Sequence, residues 1–340
     1  MILKIELENQ NFLDVDFEDR LYVVGNNQKK LWEVFRSIYY YFNKSPTLTS
    51  NVYGDNDIEI SLNDSKLSEK NNTVFFIHDR ESIYNQMLYK KGSLLFDVLN
   101  SLIDDTEISR IIDQINEGNL KLEIEIQNYM QKLSNNLKIN IDDTNYLEML
   151  KNSLLLSYED DKLAYPLEFM DTDSLLDEFL NFLEFKLKDN GNPVWVVLYN
   201  LDGIVSVHNQ FNFIKSLKRI MDDYDLKVIF IGNSLMNVPL DQTEVGGIVI
   251  ANKEFEQLLP YDELVKSVRM RYPNELKVDS DKFVDSVKRI SPFIGSDENI
   301  NLSSKNLVLL KVVNEILNYE TSYCLDDQIL SSAEAEFLSN

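Results

Sequence analysis

Residues 194–202 read Val194-Trp195-Val196-Val197-Leu198-Tyr199-Asn200-Leu201-Asp202. Five successive apolar residues of strand length predict a strand covered on both faces, as the central strands of parallel sheets are. Downstream, helical spacing over 208–221 is followed by apolar strands at 227–231 and 246–250. Strand, helix and strand in alternation require helical crossovers, so the class is α/β with a mostly parallel sheet.

Working toward the N-terminus, Ile2, Leu3, Ile5 and Leu7, then Phe12, Leu13, Val15 and Phe17, alternate with polar residues as half-buried strands do. A strand at 21–24 stops at Gly25, and Leu31, Val34, Phe35, Ile38 and Phe42 follow at helical spacing. After the polar stretch 44–57, short strands are expected at 58–62 and 73–77. Between Glu81 and Asp189 breakers are few and apolar residues recur at three and four spacing, with an extended run at 137–141. Helices are expected at 146–156, capped by Asp142 or Asp143, and at 174–187, opened by Asp173. The sequence thus divides into a head at 1–81 and 159–254, an inserted helical leg at 82–158, and a helical extension at 255–340. That extension is expected to hold helices at 261–270, 305–318 and 327–338.

The 33 basic and 57 acidic residues give a net charge of −24 over 340 residues. Phosphate backbones attract cations, so this total opposes nucleic acid unless basic residues are concentrated on one surface. Eighteen Phe and 17 Tyr with 44% hydrophobic residues exclude a wholly disordered chain. A lone cysteine, Cys324, and two histidines exclude an intrachain disulfide, thiolate zinc clusters and His-rich metal sites, which suits a reducing cytoplasm. The opening MILKIELENQ lacks the sections of a signal peptide. Runs such as 194–199 fall far short of the roughly 20 apolar residues of a membrane span. A cytoplasmic chain with no membrane partner is the expectation.

The turn after residues 21–24, Gly25-Asn26-Asn27-Gln28-Lys29-Lys30-Leu31-Trp32, has the context of a phosphate-binding loop: strand, glycine, helix N-terminus. The second glycine, the lysine and the hydroxyl residue fall at Lys30, Leu31 and Trp32, so the motif is degenerate. Asp202 stands where such folds place a magnesium-binding aspartate, and also where an Asp-Gly turn would stand. Lys215, Lys218 and Arg219, at i, i+3 and i+4 with no acid between 209 and 221, form one basic helix face. A phosphate contact and a solvated face are the two readings. Lys132 and Lys138 form a smaller pair. Acidic pairs Glu123 with Glu125 and Asp142 with Asp143 lack the register of a calcium loop.

The succession MILKIELENQ, RLYVVGNNQKKLWEVFRSIYYYF, VFFIHDRESIYNQMLYKKGSLLFDVLNSL, NIDDTNYLEMLKNSLLL, NPVWVVLYNL, LKVIFIGN and GGIVIANKE resembles the ring-forming DNA-end-binding proteins of type II-A CRISPR spacer acquisition. The resemblance covers residues 1 to about 254, and the extension makes the chain similar to a long form of that family. It implies an α/β head related to P-loop ATPases without a working nucleotide site, an inserted helical leg, and a homotetrameric ring. It further implies sequence-independent binding of double-stranded DNA ends through a lysine-lined hole, and action beside the CRISPR integrase complex and effector nuclease. Calcium supports the ring in the shorter branch, which makes Glu123, Glu125, Asp142 and Asp143 the candidate metal ligands. Where shorter relatives are glutamate-rich, this chain carries Gln127, Gln131, Asn135 and Asn136.

The expected function is therefore non-catalytic duplex binding, with Lys215, Lys218, Arg219, Lys132 and Lys138 contacting phosphates. One alternative is a P-loop NTPase acting on DNA, carried by Gly25, Lys29, Lys30 and Asp202. The other is a protein scaffold whose surface is the acidic extension.

Overall fold

The computed structural model describes residues 1–43, 58–68, 70–160, 163–188, 191–276, 279–296, 302–320 and 332–339. The polar stretch 44–57, Cys324 and the start of the last expected helix lie outside them. The strands are β1 Ile2–Glu6, β2 Phe12–Asp16, β3 Arg20–Val24, β4 Ile60–Leu62, β5 Ser65–Lys66, β6 Thr73–Ile77, β7 Ser157–Asp160, β8 Leu163–Pro166, β9 Val194–Tyr199, β10 Leu226–Gly232, β11 Ile248–Ala251 and β12 Phe255–Gln257. The helices are α1 Gln28–Asn43, α2 Arg80–Gln86, α3 Leu94–Ser101, α4 Thr106–Gln131, α5 Tyr146–Ser153, α6 Thr172–Leu187, α7 Val207–Asp223, α8 Tyr261–Arg271, α9 Ser280–Ile290, α10 Ser304–Ile316 and α11 Ser332–Ser339. They fall into two compact units: Met1–Arg80 with Asn190–Asn340, and Glu81–Asp189.

In the first unit β12-β11-β3-β10-β9-β6 form one sheet. Its strands are parallel except β12, which runs antiparallel to β11. Val196, Val197 and Leu198 have no exposure, as a run without polar residues requires of a central strand. β1 and β2 join a separate antiparallel sheet, β2-β1-β4-β5. Their alternation puts Leu3, Ile5, Leu13 and Val15 inward and leaves Phe12 exposed. One core joins both sheets through α1, whose Leu31, Val34, Phe35 and Ile38 are buried. There Phe17 stacks on Trp195 at 5.4 Å. Each such side chain contributes roughly 1.5–3 kcal/mol by leaving water.

The extension belongs to this same unit. β12 adds a strand to the sheet, and α10 buries Leu307, Val308, Leu310, Val312 and Val313. Helix α9 escaped the sequence reading, although Phe283, Val284, Val287 and Ile290 form a buried stripe.

In the second unit, α3 packs on α6 through Leu94, Leu95 and Val98 against Leu175, Leu176, Phe179 and Leu183. This moves the boundary expected at 158 to 189, because the apolar stripe of α6 is covered by α3 of the same unit. The segment 137–141 forms no ladder. Helix side chains take its backbone instead: Ile139 N donates to Gln127 Oε1 at 2.8 Å and Ile141 N to Glu123 Oε2 at 2.7 Å. α5 is capped by Asn145 rather than Asp142 or Asp143. α4 runs 26 residues without one buried side chain and leaves Ile111, Leu120, Leu122, Ile124 and Tyr129 exposed.

Asp171, rather than Asp173, opens α6; it accepts from Ser174 N at 2.9 Å and Ser174 Oγ at 2.8 Å. The backbone bond from Ser174 holds its carboxyl below the ordinary 3.8. Asp171→Ala is expected to cost about 1 kcal/mol, read as a lowered urea midpoint. A depressed folded pKa contributes stability above the unfolded value and loses it as pH falls through the folded one. The difference between the two chains should therefore vanish well below pH 3.8. Among the described residues no helix is long and apolar enough to cross a membrane.

Candidate nucleic-acid interface

Helix α7 starts at Ser206, whose side chain accepts from Asn209 N, and buries Phe213, Ile214, Leu217 and Ile220. The helical repeat then puts Lys215 and Arg219 on the exposed face, one turn apart. Lys218 departs from the expected basic face. Its Nζ donates to Pro239 O at 2.7 Å, pairs with Glu244, and lies 3.5 Å from Asp241. The pull is Glu244, whose side chain is only 5% exposed.

The same carboxylate accepts from Arg20 Nη1 at 2.7 Å and Tyr22 OH at 2.7 Å, while Asp241 N donates to it at 2.9 Å. Burial, reinforced by the negative Glu244, pushes the Tyr22 phenol well above its usual value. Burial opposes the Arg20 charge, yet the bond and charge of Glu244 outweigh it and raise the guanidinium. Lys218 is thus the counter-ion of an internal carboxylate.

Lys215, Lys218 and Arg219 line a groove of about 700 Å³ that also takes in Asp222, Asp241, Asp285 and Lys288. Lys288 comes from α9 and is a basic residue that the sequence reading missed; its amine lies 3.8 Å from Asp285. Burial lowers its pKa. The usable signal was the amphipathic stripe of 283–290, which fixes the side of α9 that Lys288 takes.

Lys132 and Lys138 lie in the other unit, so the five expected cations divide into two groups. Lys132 caps α4 and sits 4.8 Å over the Tyr129 ring. Both are exposed. The expected calcium ligands do not come together within one chain. Among the described residues no three acidic, His or Cys groups converge. Glu123 is spent on Ile141 N, and Glu125, two residues on, points about 200° around the helix. Asp142 takes Asn140 Nδ2 at 3.4 Å.

The degenerate loop is filled from within. A Cβ on Gly25 would come 2.3 Å from Ala251 O, so only glycine admits this approach of β11. Asn26 N donates to Asn252 Oδ1 at 2.7 Å and Asn27 N at 3.3 Å. Asn27 Nδ2 returns to Asn252 O at 2.9 Å. Asn252 is 5% exposed, and its own Nδ2 donates to Pro292 O at 2.9 Å and Ile294 O at 2.7 Å. A neutral amide oxygen therefore takes the donors that such a loop offers an anion. Lys30 is drawn over the Phe255 ring at 4.3 Å, Lys29 is exposed, and Asp202 accepts from Asn237 Nδ2 at 3.4 Å. Sequence reasoning missed Asn252, which lies over 220 positions from the loop it fills.

No family model and no curated relative matches this chain. Among solved structures it is similar to Stu0660 of Streptococcus thermophilus, with TM-score 0.87 and 17% identity over 99% of this chain and 100% of the other. A likeness at that identity shows the fold, over the full length of both chains. The SmcHead bound to the C-winged helix domain of ScpA matches with TM-score 0.46 and 10% identity over 78% of this chain and 98% of that one. CbiO1 of Clostridium perfringens, part of the ABC transporter complex cbiONQ, matches with TM-score 0.41 and 11% identity over 80% and 96%.

Proposed function

We propose that this chain binds double-stranded DNA ends without sequence preference, as a non-catalytic homotetrameric ring serving CRISPR type II-A spacer acquisition. The observation that carries the reading is the exposed Lys215–Arg219 face of α7 in a chain of net charge −24. Such a face neutralises phosphates and releases counterions, giving steep salt dependence and no base readout. The resemblance of residues 1–254 to the end-binding family supplies the pathway, with its integrase complex and effector nuclease as partners in the cytoplasm. The full-length likeness in fold to Stu0660 supports it. The bare apolar surface of α4 favours assembly, since such residues gain by burial against a second copy.

The filled Gly25 loop supports binding without hydrolysis. Calorimetry with magnesium nucleotide is expected to give no heat, and saturable binding would favour the NTPase reading instead. Calcium gains no ligand set from Glu123, Glu125, Asp142 and Asp143 within one chain, so assembly and binding are expected to survive a chelator.

The test is a salt titration with linear and closed circular duplex of one sequence, with and without Ca²⁺. Linear duplex is expected to be preferred and to weaken steeply with salt, whereas equal binding would mean surface contact without threading. Lys215→Glu with Arg219→Glu should flatten the logarithmic salt slope by about 2, as loss of two phosphate contacts does. An unchanged slope would remove this face from the interface.

A further inference from the structure

At the carboxyl ends of β6 and β9, where open α/β sheets place ligands, lies a cavity of about 250 Å³ walled by rings. Trp32, Phe35, Tyr39 and Tyr40 of α1 line it, with Tyr199 closing β9 and His78 following β6. Phe35 stacks on Tyr199 at 4.5 Å and 25°, and Trp32 stands edge-on to Tyr199 at 5.7 Å. His78 is edge-on to Phe35 at 5.5 Å. These contacts fix the rings as a rigid wall, while Trp32 keeps 43% of its surface in solvent. The remaining lining residue is Arg36, which is ion-paired with Glu8.

Charge decides the kind of ligand. The cavity beside Glu244 is lined by Asp16, Glu18 and Asp19, and the α7 groove by Asp222, Asp241 and Asp285. Among the described residues no Asp or Glu lines the aromatic cavity. The charged side chain in the wall, Arg36, is neutralised by Glu8, so the described lining offers no net charge to an organic cation, which a cage of ring faces would otherwise hold. A neutral planar ring fits such a wall. Drug-sized ligands occupy roughly 300–1,000 Å³, so this smaller volume suits a single nucleobase.

We propose that this cavity receives an unpaired nucleobase, stacked on Trp32 and Tyr199. The inference rests on the DNA reading for the source of the base, a frayed or single-stranded end. Of the two tryptophans, Trp195 is buried in the core, so Trp32 reports the site.

The experiment is fluorescence titration of the full chain with oligo-dT and with an abasic oligomer of the same phosphate count. Blunt-duplex retention is measured on the same samples. Oligo-dT is expected to quench and the abasic oligomer not to. Trp32→Phe should lose the signal and keep the affinity, and Trp32→Ala should weaken oligo-dT binding about 5- to 150-fold, as loss of one stacked base does. Equal quenching by the abasic oligomer, or none by either, would overturn the proposal. Quenching by a neutral Phe-containing peptide and not by oligo-dT would overturn it in favour of a protein side chain. Duplex retention without quenching defeats this inference alone, while quenching without duplex retention defeats the duplex reading and leaves this one standing.

Discussion

Glu244→Ala is expected to lower the unfolding free energy by about 3–5 kcal/mol, the cost of removing one partner from a buried ion pair. The carboxylate is 5% exposed and faces Lys218 at 18% and Arg20 at 25%, so its loss leaves two partly buried cations with only the longer pairs to Asp241 at 3.5 Å and Asp222 at 3.9 Å. The buried hydroxyl of Tyr22 loses its acceptor as well. Partial exposure of the cations places the expectation toward the lower figure. Glu244→Gln keeps an acceptor for Arg20 and Tyr22 without the charge and should cost less. Urea unfolding checks both, and an unchanged midpoint for the alanine variant would mean that the network is not structural. The same argument predicts how Lys218 differs from its neighbours. Lys218→Ala should weaken duplex binding only as far as it destabilises the fold and leave the salt slope alone.

A chain ending at residue 254 is expected to be insoluble or molten. The deletion removes β12 from the sheet edge and takes Pro292 and Ile294 from the side-chain amide of Asn252. It also uncovers whatever α8, α9 and α10 shield. A point variant isolates the polar part. Asn252→Ala leaves two backbone N–H and two carbonyl groups without their partner, each orphan costing about 1–3 kcal/mol. A total of about 3 kcal/mol or more is expected after relaxation. Size-exclusion chromatography and near-UV circular dichroism read the truncation. A monodisperse chain with native signal would make the extension a separable module.

The fold was legible where periodicity reflects one neighbour. Val194–Tyr199 could only be an inner strand, and α1 and α7 show single apolar stripes. Boundaries were lost where the covering surface is distant in sequence: α6 was assigned to the head because its stripe does not name α3 as its partner. Caps were misplaced by two or three residues because Asp171 and Asp173, or Asp143 and Asn145, are equally able acceptors and tertiary packing chooses between them. In the candidate interface, helical spacing placed Lys215 and Arg219. It could not show that Lys218 would turn toward Glu244, which lies 26 residues on. Lys288 and Asn252 were invisible for the same reason: each matters through groups brought near by β11, α9 and the turn at 291–293.

Proteins that hold a dissolved anion in a glycine-led loop melt at a temperature set by how much of that anion the cell contains, because binding draws the equilibrium toward the native state. Here the acceptor is tethered. Asn252 cannot dissociate or be depleted, so its hold on the loop does not depend on the concentration of a solute. Adding or withdrawing nucleotide is therefore expected to leave the melting temperature where it was, as a thermal scan would read.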